Sequence, residues 1–188
     1  MIEPLGLEAQ DAFVSGLNWD PVLDIPTWKP SYSAGTLPEE ALLTSPFKGR
    51  SFVVERERER LEIWIADSAP DWLQTATERI ATLLLLEPDW DSYGGLPVNF
   101  RAAATALELM QFLVNESILP PSIVPTASGG IQLEWHASGI DLEIELMDRR
   151  NTVFFCDLET GMEWEDNLAH RLSDVVEIMG RLASDQVK

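Results

Sequence analysis

The run from Gly129 to Leu146, GGIQLEWHASGIDLEIEL, constrains the fold more than any other part of the chain. Apolar and polar residues alternate through it in two stretches, which predicts two β-strands, because successive strand side chains point to opposite faces. Ile131, Leu133 and Trp135 share one side of the first strand, and Ile140, Leu142, Ile144 and Leu146 share one side of the second. Gln132, Glu134 and His136, with Asp141, Glu143 and Glu145, fall on the opposite side. The ribbon therefore has an apolar face and an acidic face. Ala137-Ser138-Gly139 suits a three-residue hairpin loop with its glycine in the left-handed region.

The flanking sequence extends this ribbon into a meander over 122–164. Ile123-Val124-Pro125 reads as a short edge strand, 151–158 as a further strand after the Asp148-Arg149-Arg150-Asn151 turn, and Met162-Glu163-Trp164 as a last short one. Helices are predicted on either side. Ser68-Ala69-Pro70-Asp71 has the form of a helix start, with Ser68 as N-cap, and Trp72, Leu73, Ala76, Ile80, Leu83 and Leu84 recur at helical spacing until Glu87-Pro88. A helix over 98–117 carries Ala103, Ala106, Leu107, Met110, Leu113 and Val114 on one stripe. A helix over 166–185 carries Leu168, Leu172, Val175, Val176, Met179 and Leu182.

Two N-terminal stretches read differently. Residues 51–65 hold the charged run Glu55 to Arg60 between β-branched and aromatic ends, which favours a strand, or a hairpin with its turn inside the run. Residues 1–50 are interrupted by Pro4, Pro21, Pro26, Pro30, Pro38 and Pro46, yet contain Phe13, Leu17, Trp19, Trp28, Tyr32 and Phe47. Such an arm packs along its own domain or wraps a partner. A short helix is expected around Leu7–Leu17. The expected organisation is α+β: an extended arm over 1–50 and a compact domain over 51–188. In that domain an antiparallel meander of three to four strands has helices on one face.

Composition narrows the function classes. A net charge of −19 on 188 residues repels nucleic acid and anionic membranes and attracts basic surfaces. Cys156 is the single cysteine, which excludes an intramolecular disulfide or a multi-cysteine zinc site. It reads as a small buried residue. No basic, apolar leader stands at the N-terminus and no apolar run reaches membrane-spanning length, so the bacterial cytoplasm is the expected compartment.

The loop Glu87-Pro88-Asp89-Trp90-Asp91-Ser92-Tyr93-Gly94-Gly95-Leu96-Pro97 joins two predicted helices. Trp90 and Tyr93 could anchor a partner, or plug the helix junction while Asp91 or Ser92 caps turns and the glycines supply positive φ. No Lys-Ser/Thr follows the glycine pair, so it is no phosphate cradle. Together, Trp90-Asp91-Ser92-Tyr93-Gly94 with Pro97, and Gly129 to Trp135 after Pro125-Thr126, resemble a pattern of small, acidic, mostly uncharacterised bacterial proteins. The resemblance covers roughly residues 70–158. It implies one compact domain with an added arm, and carries over no activity and no site residues.

Catalytic sets are weak. Glu134, His136, Asp141 and Glu143 could in principle hold Mg²⁺ or Mn²⁺ as a divalent-metal hydrolase. The only lysines, Lys29, Lys48 and Lys188, are remote from the sheet segments, and the negative field opposes a nucleic-acid substrate. His136 is a candidate base or ligand, His170 reads as a surface residue, and no Gly-x-Ser-x-Gly element supports a serine nucleophile. A third reading is a structural homo-oligomer that exchanges N-terminal arms.

The leading expectation is a non-catalytic acidic protein, without cofactor or metal, that docks on a basic partner protein as an antitoxin, immunity protein, inhibitor or accessory subunit does. Trp19, Trp28, Trp90 and Tyr93 are the expected anchors, and Glu134, Asp141, Glu143 and Glu145 the steering charges. Like charges facing each other across that hairpin need an offset: solvent, Arg149, Arg150, a metal or a basic partner.

Overall fold

A computed structural model of the chain describes residues 12–15, 49–56, 59–115 and 117–185. The fold is α+β with antiparallel sheets, and the chain divides into two compact units between Thr75 and Ala76, inside the first described helix. Trp19, Trp28 and most of the 1–50 stretch lie outside the described residues.

The first unit holds β1 (Ala12–Ser15), β2 (Gly49–Arg56) and β3 (Glu59–Ala66), with β3 in the centre and both neighbours antiparallel to it. Ala12–Ser15 is strand, where a helix was expected across Leu7–Leu17; its backbone pairs with Ile65 to Glu62, a tertiary partner that local sequence does not reveal. The charged run folds back on itself, so Glu55 lies opposite Arg60 and Arg56 opposite Glu59. The pairing of β2 with β3 converts a sequence alternation into cross-strand pairs of opposite sign, one of them Arg60 Nε to Glu55 Oε1 at 3.6 Å. Leu61, Ile63 and Ile65 on β3 are fully buried.

Helix α1 (Asp71–Leu83) starts one residue after Pro70, whose carbonyl accepts from the Leu73 and Gln74 amides. The expected start at Ser68 gives way to a turn closed by the Ala69 amide on the Ala66 carbonyl. Helix α2 (Phe100–Leu113) is capped by Asn99, whose Oδ1 accepts from the Arg101 and Ala102 amides at 2.7 and 3.4 Å. It stops before 117 because Val114 is extended and Asn115 Oδ1 takes the Ser117 amide in a competing local turn. Every member of the expected stripe is buried, and so are Ala102, Ala104, Thr105 and Leu109. The helix is thus enclosed almost all round, rather than on one stripe.

The second unit is built on a five-stranded meander: β4 (Ser122–Pro125), β5 (Ile131–Ala137), β6 (Ile140–Leu146), β7 (Asn151–Asp157) and β8 (Met162–Asn167), in chain order and all antiparallel. There are five strands rather than three to four because both short flanking segments pair as edges. The β5–β6 connection is a two-residue turn, not a three-residue loop. Ala137 still pairs with Ile140, and Ser138 and Gly139 both have positive φ, 54° and 72°. That combination matches the right-handed twist of a hairpin.

Helix α2 packs on β5 and β6, and α3 (Leu168–Asp185) on β7 and β8. The apolar face predicted for the hairpin lies inward: Ile131, Leu133, Leu142, Ile144 and Leu146 are all fully buried. At α3, Asn167 Oδ1 caps the Ala169 amide at 2.9 Å. Ile178 is buried and Val176 is 46% exposed, which rotates the buried stripe away from the expected Val176. Phe155 and Trp164, cross-strand neighbours, lie with ring centroids 5.3 Å apart, and the Arg171 guanidinium sits 4.8 Å over the Trp164 ring. No helix among the described residues is long and apolar enough to cross a membrane.

Candidate functional site

The sheet face away from the helices collects the polar side chains of four neighbouring strands. Register places Glu134 opposite Glu143, His136 opposite Asp141 and Gln132 opposite Glu145 across β5 and β6. Across β6 and β7, Asp141 meets Cys156, Glu143 meets Phe154 and Glu145 meets Thr152. Across β7 and β8, Phe154 meets Glu165 and Cys156 meets Glu163. Opposite residues on one face have Cβ atoms about 5 Å apart, so these carboxylates are mutual neighbours. All four expected steering residues, Glu134, Asp141, Glu143 and Glu145, are therefore brought together. The face continues onto β8 with Glu163 and Glu165.

Two side chains offset the repulsion locally. The Gln132 amide donates to Glu134 Oε1 at 3.0 Å and to Glu143 Oε2 at 2.8 Å, bridging two carboxylates that face each other. His136 Nδ1 lies 2.9 Å from Asp141 Oδ1, and its Nε2 lies 3.7 Å from Glu134 Oε2. The hydrogen bond with Asp141 raises the imidazole above its ordinary value of 6.5, with further support from the charges of Glu134 and Glu143.

The unit's arginine pairs lie elsewhere. Arg101 and Arg149 bind Asp148, Arg171 binds Asp166 and Asp174, and Arg181 binds Asp157, while Arg79 donates to the Ile123 carbonyl. Arg149, expected as a compensating charge for the hairpin, is held by Asp148 in its own turn. Among the described residues, no group of three or more His, Cys, Asp or Glu is arranged to hold a metal ion.

Cys156 is half-buried on this face rather than buried in the core. Partial burial raises its thiol, and the charges of Glu163, Asp141 and Asp157 raise it further, so it is kept away from the thiolate. The alternation of β7 could have placed it here, since Val153 and Phe155 face inward and Cys156 must face out.

The 89–97 loop lies at the Glu145 end of the face. The Leu96 amide donates to the Ala127 carbonyl, and Ser128 Oγ, in the same turn, donates to Glu145 Oε1 at 3.2 Å. Gly129 is required at that junction: it has φ +84°, and a Cβ there would stand 2.9 Å from the Pro97 carbonyl oxygen.

The loop itself is held from within. Asp91 Oδ1 accepts from the Tyr93 and Gly95 amides at 2.8 Å each, and these bonds lower its carboxyl. Asp89 Oδ1 accepts from the Gly94 amide at 2.7 Å. Asp89 and Ser92 both adopt positive φ, 66° and 64°, conformations that non-glycine residues seldom hold without surrounding support. Trp90 is half-buried, its indole N–H donating to the Leu96 carbonyl, whereas Tyr93 at the tip is 94% exposed. The two aromatics thus divide the roles that the sequence left open: Trp90 closes the loop and Tyr93 projects from it.

Gln132 is on the face as its alternation predicts, whereas Phe154 and Glu165 are members that the hairpin alone does not reveal. The alternation of β7 puts Phe154 on the same side as Cys156, and the pairing with β6 and β8 then sets it between Glu143 and Glu165. An open trough of ≈ 430 Å³ runs across the face, lined by Gln132, Glu143, Glu145, Thr152, Phe154 and Glu165. Comparison with protein-family models, with curated proteins and with solved structures finds no match to this chain.

Proposed function

We propose that the protein is a non-catalytic binding protein that docks a basic partner protein on the open face of its five-stranded sheet. One observation carries this reading: carboxylates from β5, β6 and β8 gather on a single face, and the unit's arginine–carboxylate pairs lie off it. Facing glutamates destabilise a sheet, so a partner that supplies positive charge recovers energy that the free protein forgoes. The internally hydrogen-bonded loop that joins the turn beside Glu145 adds Tyr93, an exposed amphipathic ring available for contact. An antitoxin, immunity protein, inhibitor or accessory subunit that covers a basic partner fits this physics.

The test separates a built surface from net charge alone. Asp141, Glu143 and Glu145 are changed to Lys in one variant, and exposed Glu87, Glu159 and Glu177 in another, so that net charge changes equally. Proteins of the host are passed over each immobilised chain at low salt. A basic protein retained by the wild type and by the Glu87/Glu159/Glu177 variant, but released by the face variant, supports docking on this face. Equal retention on both variants, or equal loss from both, rejects it.

A further inference from the structure

One position on the acidic face differs in kind from its neighbours. Phe154 is the only phenyl or indole ring on that side of the sheet among the described residues, and it lines the trough. Glu143 stands directly across from it on β6, and Glu165 directly across on β8. Phe154 thus has a carboxylate on each side, while Glu145, Gln132 and Thr152 complete the lining of the trough.

The chemistry of that arrangement selects its occupant. An anion is repelled by the three glutamates of the lining, Glu143, Glu145 and Glu165. A neutral apolar group would cover the ring but strip water from carboxylates without replacing it. A cation satisfies both, because the face of a phenyl ring attracts positive charge. Guanidinium fits better than ammonium: it is flat and weakly hydrated, it stacks on aromatic faces, and its fork of donors reaches carboxylates on two sides at once. Among the described residues, one oxygen of Glu143 is engaged, by Gln132, and one of Glu145, by Ser128.

We propose that this trough seats an arginine side chain of the basic partner, its guanidinium stacked on the Phe154 ring and hydrogen-bonded to Glu143 and Glu165. The proposal rests on the docking reading above and sharpens it from a charged surface to a residue-specific seat. The same stacking geometry already occurs elsewhere in this unit, where Arg171 lies 4.8 Å over Trp164.

The test uses the full chain and two synthetic peptides of equal length and charge, one of alternating Gly and Arg and one of alternating Gly and Lys. Calorimetry and the NMR shifts of the Phe154 ring report binding. The arginine peptide should bind roughly fivefold more tightly than the lysine peptide and shift the Phe154 resonances upfield or downfield with saturation. Phe154→Leu, with an unchanged melting profile, should abolish that preference while leaving lysine-peptide binding intact. Glu165→Gln should weaken the arginine peptide more than the lysine one.

Equal binding of both peptides to the wild type overturns the seat, as does an arginine preference that survives Phe154→Leu. If both bind equally and both are lost on reversal of Asp141, Glu143 and Glu145, the seat falls and the docking face stands. If neither peptide binds, both fall.

Discussion

Glu134 and Glu143 face each other across neighbouring strands, and the single amide of Gln132 donates to both. Two like charges at that spacing repel, and a bridging NH₂ group is the smallest neutral device that supplies each with a donor. Gln132→Leu should therefore destabilise the protein by about 1–2 kcal/mol in urea unfolding, a loss that shrinks as salt screens the repulsion. A loss that is the same at low and high salt would mean that the amide is packing rather than bridging.

His136 makes the same face sensitive to pH. Its imidazole is raised above 6.5 in the folded protein, chiefly by the hydrogen bond with Asp141. A folded value above the unfolded one means that its stabilising contribution is complete below the unfolded value and disappears as pH rises through the folded value. Proton NMR should place the His136 titration in the folded protein above its ordinary value of 6.5. His136→Gln should flatten the stability profile between mildly acidic and neutral pH. A titration at or below 6.5 contradicts the pairing.

Asp157 works with the opposite sign. The Arg181 guanidinium at 2.7 Å, with the Thr160 and Glu159 amides, holds its carboxyl down to about 2 from 3.8. That stability is present above the unfolded value and is lost as pH falls from about 3.8 toward about 2. Asp157→Asn should lower the melting temperature at pH 7 and change it little at pH 2. Equal effects at both values would remove the ion pair from the account.

Glu108 on α2 runs against stability. Burial raises its carboxyl from 4.5 to about 7. A raised acid lowers stability as pH climbs through that interval, by an amount on the order of 2–3 kcal/mol once it is fully ionised. Glu108→Gln should be more stable than the wild type at pH 8 by up to that amount, and no more stable below pH 4. Thermal melts at the two pH values decide it.

Gly129 holds the loop to the sheet turn. Gly129→Ala puts a methyl group into positive φ and 2.9 Å from the Pro97 carbonyl, and should cost about 2 kcal/mol or more. The Tyr93 and Gly95 amides should then exchange faster with solvent. Unchanged exchange would show that the loop holds itself together without this junction.

What could be read in advance follows from how local each signal is. The hairpin from Ile131 to Leu146 was legible because period-two alternation encodes both strands and both faces in adjacent residues. The α3 start at Leu168 falls within two residues of the expected 166, because the cap, Asn167, is local. The pairing of Ala12–Ser15 with β3 was not, because its partners lie far along the chain. The composition of the acidic face was half legible. Glu134, Asp141, Glu143 and Glu145 sit in one hairpin, whereas Phe154 and Glu165 join it only through the β6–β7 and β7–β8 registers. For the facing glutamates the sequence left solvent, Arg149, Arg150, a metal and a basic partner open as the offset. It comes from Gln132 and His136, which share the face, while Arg149 is captured by Asp148 next to it. Trp19 and Trp28 lie outside the described residues, so the proposed partner contacts rest on Tyr93 and the sheet.

Carbodiimide labelling of carboxylates, with and without the basic partner retained at low salt, tests the central claim most directly. Peptide mass spectrometry should find Glu134, Glu143, Glu145 and Glu165 protected in the complex, and Glu87, Glu159 and Glu177 labelled as in the free protein. Full labelling of the sheet-face glutamates in the bound state, with protection elsewhere, would contradict it.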